Sequence, residues 1–119
     1  MTDQSPLAPF ILDEAEAART SHCLMLFDGD MEDVEDVFEE HNAGGNGHGW
    51  EGLAQSLVHS FMPELADRLD FGSESGTFVV TSTDLTALKR LGDVLRDAFH
   101  NRDILARQIQ VGDPLFLPR

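Results

Sequence analysis

The spacing of apolar and polar positions divides the chain into strands and helices before composition is considered. Residues 1–8 are polar and proline-containing, which predicts no regular structure. Phe10-Ile11-Leu12 reads as a short strand, stopped by the acidic, alanine-rich run that follows. His22 to Phe27 (HCLMLF) is apolar without alternation, the pattern of a central strand covered on both faces. The period then lengthens to that of a helix, with Asp30 at the N-cap position, Met31, Val34, Val37, Phe38 and His41 as the buried stripe, and Asn42 near the end.

Ala43 to Gly49 is a glycine loop able to take positive φ. From Trp50 a second helix runs with the stripe Trp50, Leu53, Ala54, Leu57, Val58 and Phe61, and Met62-Pro63 stops it. Glu64 to Leu69 predicts a helical turn burying Leu65 and Leu69, Gly72 to Gly76 a turn, and Thr77 to Thr81 a β-branched strand. Ser82 or Thr83 then caps a helix lined by Leu85, Leu88, Leu91, Leu95, Ala98 and Phe99. Asn101 opens a short last helix carrying Ile104, Leu105 and Ile109, and Leu115 to Leu117 pack back as an extended segment. The order β-β-α-α-β-α-α predicts an α+β fold, a small antiparallel or mixed sheet of about three strands packed by helices. With 119 residues and 41% hydrophobic content, one domain over 1–119 is expected.

Charge changes this picture most. The chain has a formal net charge of −14, and 12 acids against one base fall in residues 1–42, five against one in 43–76, and five against six in 77–119. The acidity is therefore local. It concentrates on the first helix and its approach: Glu32, Asp33, Glu35, Asp36, Glu39 and Glu40 cover the helix outside its stripe, with Asp30 at the cap and Asp28 before it. In an unbroken helix, three i,i+4 pairs (Glu32–Asp36, Glu35–Glu39, Asp36–Glu40) and three i,i+3 pairs (Glu32–Glu35, Asp33–Asp36, Asp36–Glu39) set like charges together. Each costs about 0.2–0.5 kcal/mol. A merely solvated face usually mixes signs, so a one-signed and locally unfavourable face points to use, and these carboxylates, joined by Glu51, are the candidate binding residues. The same balance argues against nucleic acid or an anionic membrane as partner, since both require clustered Lys and Arg.

Sequence motifs for chemistry fail on specifics. Asp28, Asp30, Glu32, Val34, Asp36 and Glu39 fall on the ligand positions of a calcium loop, but Asp33 stands where the turn needs glycine and Glu35 where an apolar residue packs. Gly47-His48-Gly49-Trp50-Glu51-Gly52 matches G-x-G-x-x-G, yet no strand precedes it and Glu51 would oppose a pyrophosphate. His22, His41, His48, His59 and His100 lack the spacing of a metal site, and the single cysteine, Cys23, lies in an apolar strand. Ser21, Ser56 and Ser60 have no nucleophile elbow. Neither an enzyme nor a cofactor is expected. The lone cysteine, an N-terminus without a basic region and the absence of a long apolar run point to the cytoplasm.

Gly49-Trp50-Glu51 opening a helix, Ala54 and Leu57 after it, Pro63-Glu64-Leu65, Phe71, Ser73-Glu74-x-Gly76-x-Phe78 entering a strand, and Asp84 with Leu88 form a pattern over about residues 45–109. It resembles the Imm51-like group of bacterial immunity proteins from polymorphic toxin systems. The resemblance implies a small α+β protein that binds a cognate toxin in the cytoplasm and blocks it by occlusion, without catalytic residues. It further implies that Gly49, Trp50, Glu51, Gly76 and Phe78 serve mostly the fold. Many toxin domains are nucleases with basic clefts, which an acidic inhibitor would reach quickly. The alternatives are an acidic interaction or regulatory module, such as a nucleic-acid mimic, and a small-molecule or metal domain using the His41 to Glu51 loop. Monomer and dimer are both open.

Overall fold

The computed structural model describes residues 7–14, 21–112 and 115–117. Its sheet has four antiparallel strands in the order β1-β2-β4-β3: β1 Ile11–Asp13, β2 His22–Phe27, β3 Asp70–Phe71 and β4 Thr77–Ser82. The fold is α+β. The fourth strand, β3, is two residues long, too short to leave a periodic signature, and Asp70 and Phe71 pair with Thr81 and Val80.

β2 departs from the expectation of cover on both faces. Leu24 and Leu26 are fully buried, but Phe27 is 41% exposed and Cys23 and Met25 only half-buried. The register Leu24↔Val80 and Leu26↔Phe78 places the buried residues of both strands on one side, and the helices pack there. A β2 apolar on both sides thus reports one packed face and one open face, which side-chain alternation in strands allows and composition alone does not separate.

The acidic helix begins at Asp28, two residues before its expected cap, and is broken into α1 Asp28–Met31, a 3-10 turn Glu32–Val34 and α2 Glu35–Glu40. Phe27 precedes α1 without a side-chain cap, and the Asp28 N–H is satisfied by Gly76 O at 3.1 Å instead. Val34 carries φ −127°, ψ 11° at the break, and the stripe survives it: Met31, Val34, Val37 and Phe38 are all 4% exposed or less. The break leaves only Glu35–Glu39, Asp36–Glu40 and Asp36–Glu39 as like-charge pairs at α-helical spacing within α2. His41 is half-buried, its Nδ1 3.0 Å from Val37 O, and Asn42 closes the segment at φ 61°, a conformation asparagine tolerates.

Helix α3 runs Gly47–Phe61, capped by Asn46, whose Oδ1 accepts the Gly49 N–H at 2.9 Å. Gly47 to Gly49, expected in the loop, form the first turn of α3, and none of the described glycines has positive φ; they serve close approach instead. A Cβ on Gly47 would lie 1.8 Å from Glu74 O, and one on Gly49 1.7 Å from Gly44 O. Trp50, fully buried, sits edge-on to Phe10 at 5.6 Å and against Phe38 at 5.3 Å, with Phe10 in turn edge-on to Phe78 at 6.1 Å. This aromatic group joins β1, the acidic segment, α3 and β4 in one core.

A 3-10 turn over Pro63–Arg68 buries Leu65, and Leu69 follows at 7% exposure. Helix α4, Leu85–His100, is capped by Asp84, not by Ser82 or Thr83: Asp84 Oδ1 accepts the Ala87 N–H at 3.2 Å, and Ser82 Oγ accepts the Asp84 N–H at 2.9 Å. Helix α5, Arg102–Gln110, is capped by Asn101 as its spacing predicts. Leu105 and Ile109 are buried, but Ile104 is 38% exposed. In the tail Leu117 is buried and Leu115 is 79% exposed, within a turn and not a strand. The N-terminal expectation for residues 1–6 falls outside the described residues. Leu7, by contrast, is buried against Gly92, and Ala8 O accepts a hydrogen bond from His100 Nε2 at 2.7 Å.

Candidate functional site

The eight acids of the first helix form a ridge. Asp28, Glu32, Asp33, Glu35, Asp36, Glu39 and Glu40 are exposed and Asp30 is half-buried, because the stripe beneath them is turned wholly into the core. Three of them, Asp28, Glu32 and Glu35, meet Gly45, Asn46 and Ser75 around a notch of about 120 Å3. The loop closes against the ridge at Gly45, where a Cβ would lie 2.9 Å from Glu35 Cα. The glycine loop and the acidic helix are thus one surface. With no side chain at Gly45, the loop backbone lies directly against Glu35.

Among the described residues, one base reaches the ridge from far along the sequence. Arg102, at the start of α5, pairs with Asp36 and donates from Nη1 to Asp33 O at 3.3 Å. Both charged side chains remain about half exposed, 52% and 57%, so the pair contributes about 0–1 kcal/mol. Sequence reasoning missed this partner because it lies 66 residues from Asp36. The pairs Arg68–Asp84, Arg90–Glu64 and Arg96–Asp97 lie elsewhere. Two carboxyls with lowered pKa values belong to these. Asp84 is held down by hydrogen bonds from the Arg68 side chain and then the Ala87 N–H, and Glu64 by its own backbone N–H and then Arg90.

Glu51 is engaged differently from the ridge. It is half-buried, and its Oε1 accepts the Ser73 N–H at 2.9 Å, tying the start of α3 to the turn before β4. Ser73 Oγ in turn accepts the Val79 N–H at 2.9 Å. Gly76 supplies the carbonyl that receives Asp28, Phe78 is fully buried beside Phe10, and Gly49 leaves room for Gly44 O. Each motif residue therefore braces the loop, α3 and the β4 turn against one another, and the ridge rests on that brace. Phe27 is a further feature of the site that the strand pattern hid. It is the residue immediately before Asp28 and sets an exposed ring beside the start of the ridge. Its signal was the alternation of Cys23, Met25 and Phe27 against Leu24 and Leu26.

Among the described residues, no group of three or more His, Cys, Asp or Glu side chains is arranged to hold a metal ion, and no helix is long and apolar enough to cross a membrane. No curated protein and no solved structure matches the chain. A family model described as Immunity protein 51 (Imm51) matches residues 10–114, from the start of β1 to beyond α5. That match covers most of the sequence and all of its regular elements, and the chain belongs to the Imm51 family of immunity proteins.

Proposed function

We propose that this chain neutralises a basic, nuclease-type toxin domain in the cytoplasm by laying its acidic ridge over the toxin's active-site cleft. Family membership implies the toxin partner. The choice of surface is carried by one observation: the exposed carboxylates Asp28, Glu32 and Glu35 converge on a notch that, among the described residues, no base lines. A Lys or Arg of the toxin entering that notch would meet three acceptors at once, and charge-assisted hydrogen bonds of this kind are about twice as strong as neutral ones. The remaining acids, Asp30, Asp33, Asp36, Glu39 and Glu40, extend the field along the ridge and steer the encounter. Phe27 supplies an aromatic anchor at one end, in keeping with the enrichment of aromatic residues at the energetic centres of interfaces.

Occlusion requires no chemistry from the inhibitor. The carboxylates stand in for the phosphate backbone that a nuclease cleft is built to receive, and the toxin is blocked for as long as the complex lasts. Co-expression tests this with the toxin domain encoded in the neighbouring reading frame. Cells carrying toxin and wild-type chain should grow and yield a stoichiometric complex. Cells carrying a folded Glu32→Lys, Glu35→Lys, Glu39→Lys variant should lose protection. Full protection by that variant would remove the ridge from the interface, and failure of the wild type to bind would remove the toxin reading itself.

A further inference from the structure

We infer that the surface between the end of α3 and α5 is a self-association face, occupied in solution by a second copy of this chain. Phe61 and Val111 are 68% and 67% exposed and Ile104 is 38% exposed, and the three share one patch instead of being scattered singly. Together with Asp103 and Arg107 they line a groove of about 470 Å3. The patch offers both halves of a contact: Phe61 projects, and the groove between Ile104 and Val111 can receive a ring. A two-fold axis makes such a surface complementary to itself.

Charge selects the occupant. Copies of a chain with net charge −14 repel wherever their acids meet, and they approach best where the surface is locally neutral or mixed. The groove is lined by one base, Arg107, and one acid, Asp103, and so is locally neutral. An antiparallel crossing of two α5 helices can bring Arg107 of one copy towards Asp103 of the other. A basic toxin finds a single acid, Asp103, here, set against Arg107, and is steered to the ridge instead. Three exposed apolar side chains are few for a permanent dimer, so association in about the micromolar range is expected. The inference stands independently of the identity of the toxin.

Sedimentation velocity of the full chain from about 1 to 100 µM decides it. The wild type should pass from monomer to dimer across that range. Phe61→Glu and, separately, Val111→Glu should remain monomeric throughout, raising the dimer dissociation constant at least ~30-fold, with melting temperatures near that of the wild type because both side chains are already exposed. A wild type that stays monomeric, or a dimer untouched by both substitutions, would overturn the assignment. So would a monomeric wild type whose toxin binding is abolished by Phe61→Glu, since the groove would then belong to the toxin.

Discussion

Trp50 stands at the centre of the aromatic group in the core. It is fully buried, and it contacts Phe10, Phe38 and Phe99. Trp50→Ala should cost about 3–5 kcal/mol, enough to unfold many domains of this size, as a urea titration would show. Its Nε1 is buried without a hydrogen-bond partner, so Trp50→Phe removes an unsatisfied donor while it leaves a smaller void. That variant should lose clearly less stability than the alanine. At Asp84 the prediction concerns pH. Its folded-state pKa lies below the ordinary value, so its contribution is fully present above that value, fades as the unfolded chain takes up the proton, and is gone below the folded-state pKa. Asp84→Ala should therefore destabilise the protein at pH 7, chiefly through the lost helix cap, and the difference from wild type should shrink as the pH is taken below about 4 in parallel thermal melts.

Among the elements, those with a strong period were legible and those set by tertiary contact were not. The stripes of α3 and α4 and the strand His22–Phe27 follow from hydrophobic spacing, except that Phe61, expected in the buried stripe of α3, is 68% exposed at the end of that helix. The two-residue β3 did not show, because a strand that short is specified by its neighbour β4 and not by its own residues. Nor did the break at Val34. The stripe at Met31, Val34, Val37 and Phe38 fits an unbroken helix, and only the packed structure reveals that a tighter turn keeps all four buried. Glycine spacing suggested left-handed turns, yet the described glycines are used for approach. Gly47→Ala should be destabilising by more than the helix-propensity gain of alanine, since its Cβ would collide with the Glu74 and Thr77 carbonyls, and a lowered melting temperature would register it.

The candidate site was legible as composition but not as geometry. Eight acids on one segment are visible in the sequence; that three of them share a notch with Gly45, and that Arg102 pairs with Asp36, depends on how α5 and the loop pack. Glu51 illustrates the same limit, because its role as acceptor for Ser73 depends on a turn 22 residues away. The Arg102 contact gives a prediction for the whole molecule. Arg102→Ala removes one positive charge from the ridge at a stability cost within about 1 kcal/mol, so association with a basic toxin should be as fast as wild type or faster at low salt. A slower association would mean that Arg102 itself contacts the toxin.

If the ridge steers and holds the toxin, the rate of association must follow the charge of the ridge. Stopped-flow association of the toxin domain with wild type and with the Glu32→Lys, Glu35→Lys, Glu39→Lys variant should be followed over increasing salt. The wild-type rate should fall steeply with ionic strength, while the variant should begin at least ~10-fold slower at low salt and vary little. Equal rates and equal salt dependence for the two proteins would contradict it.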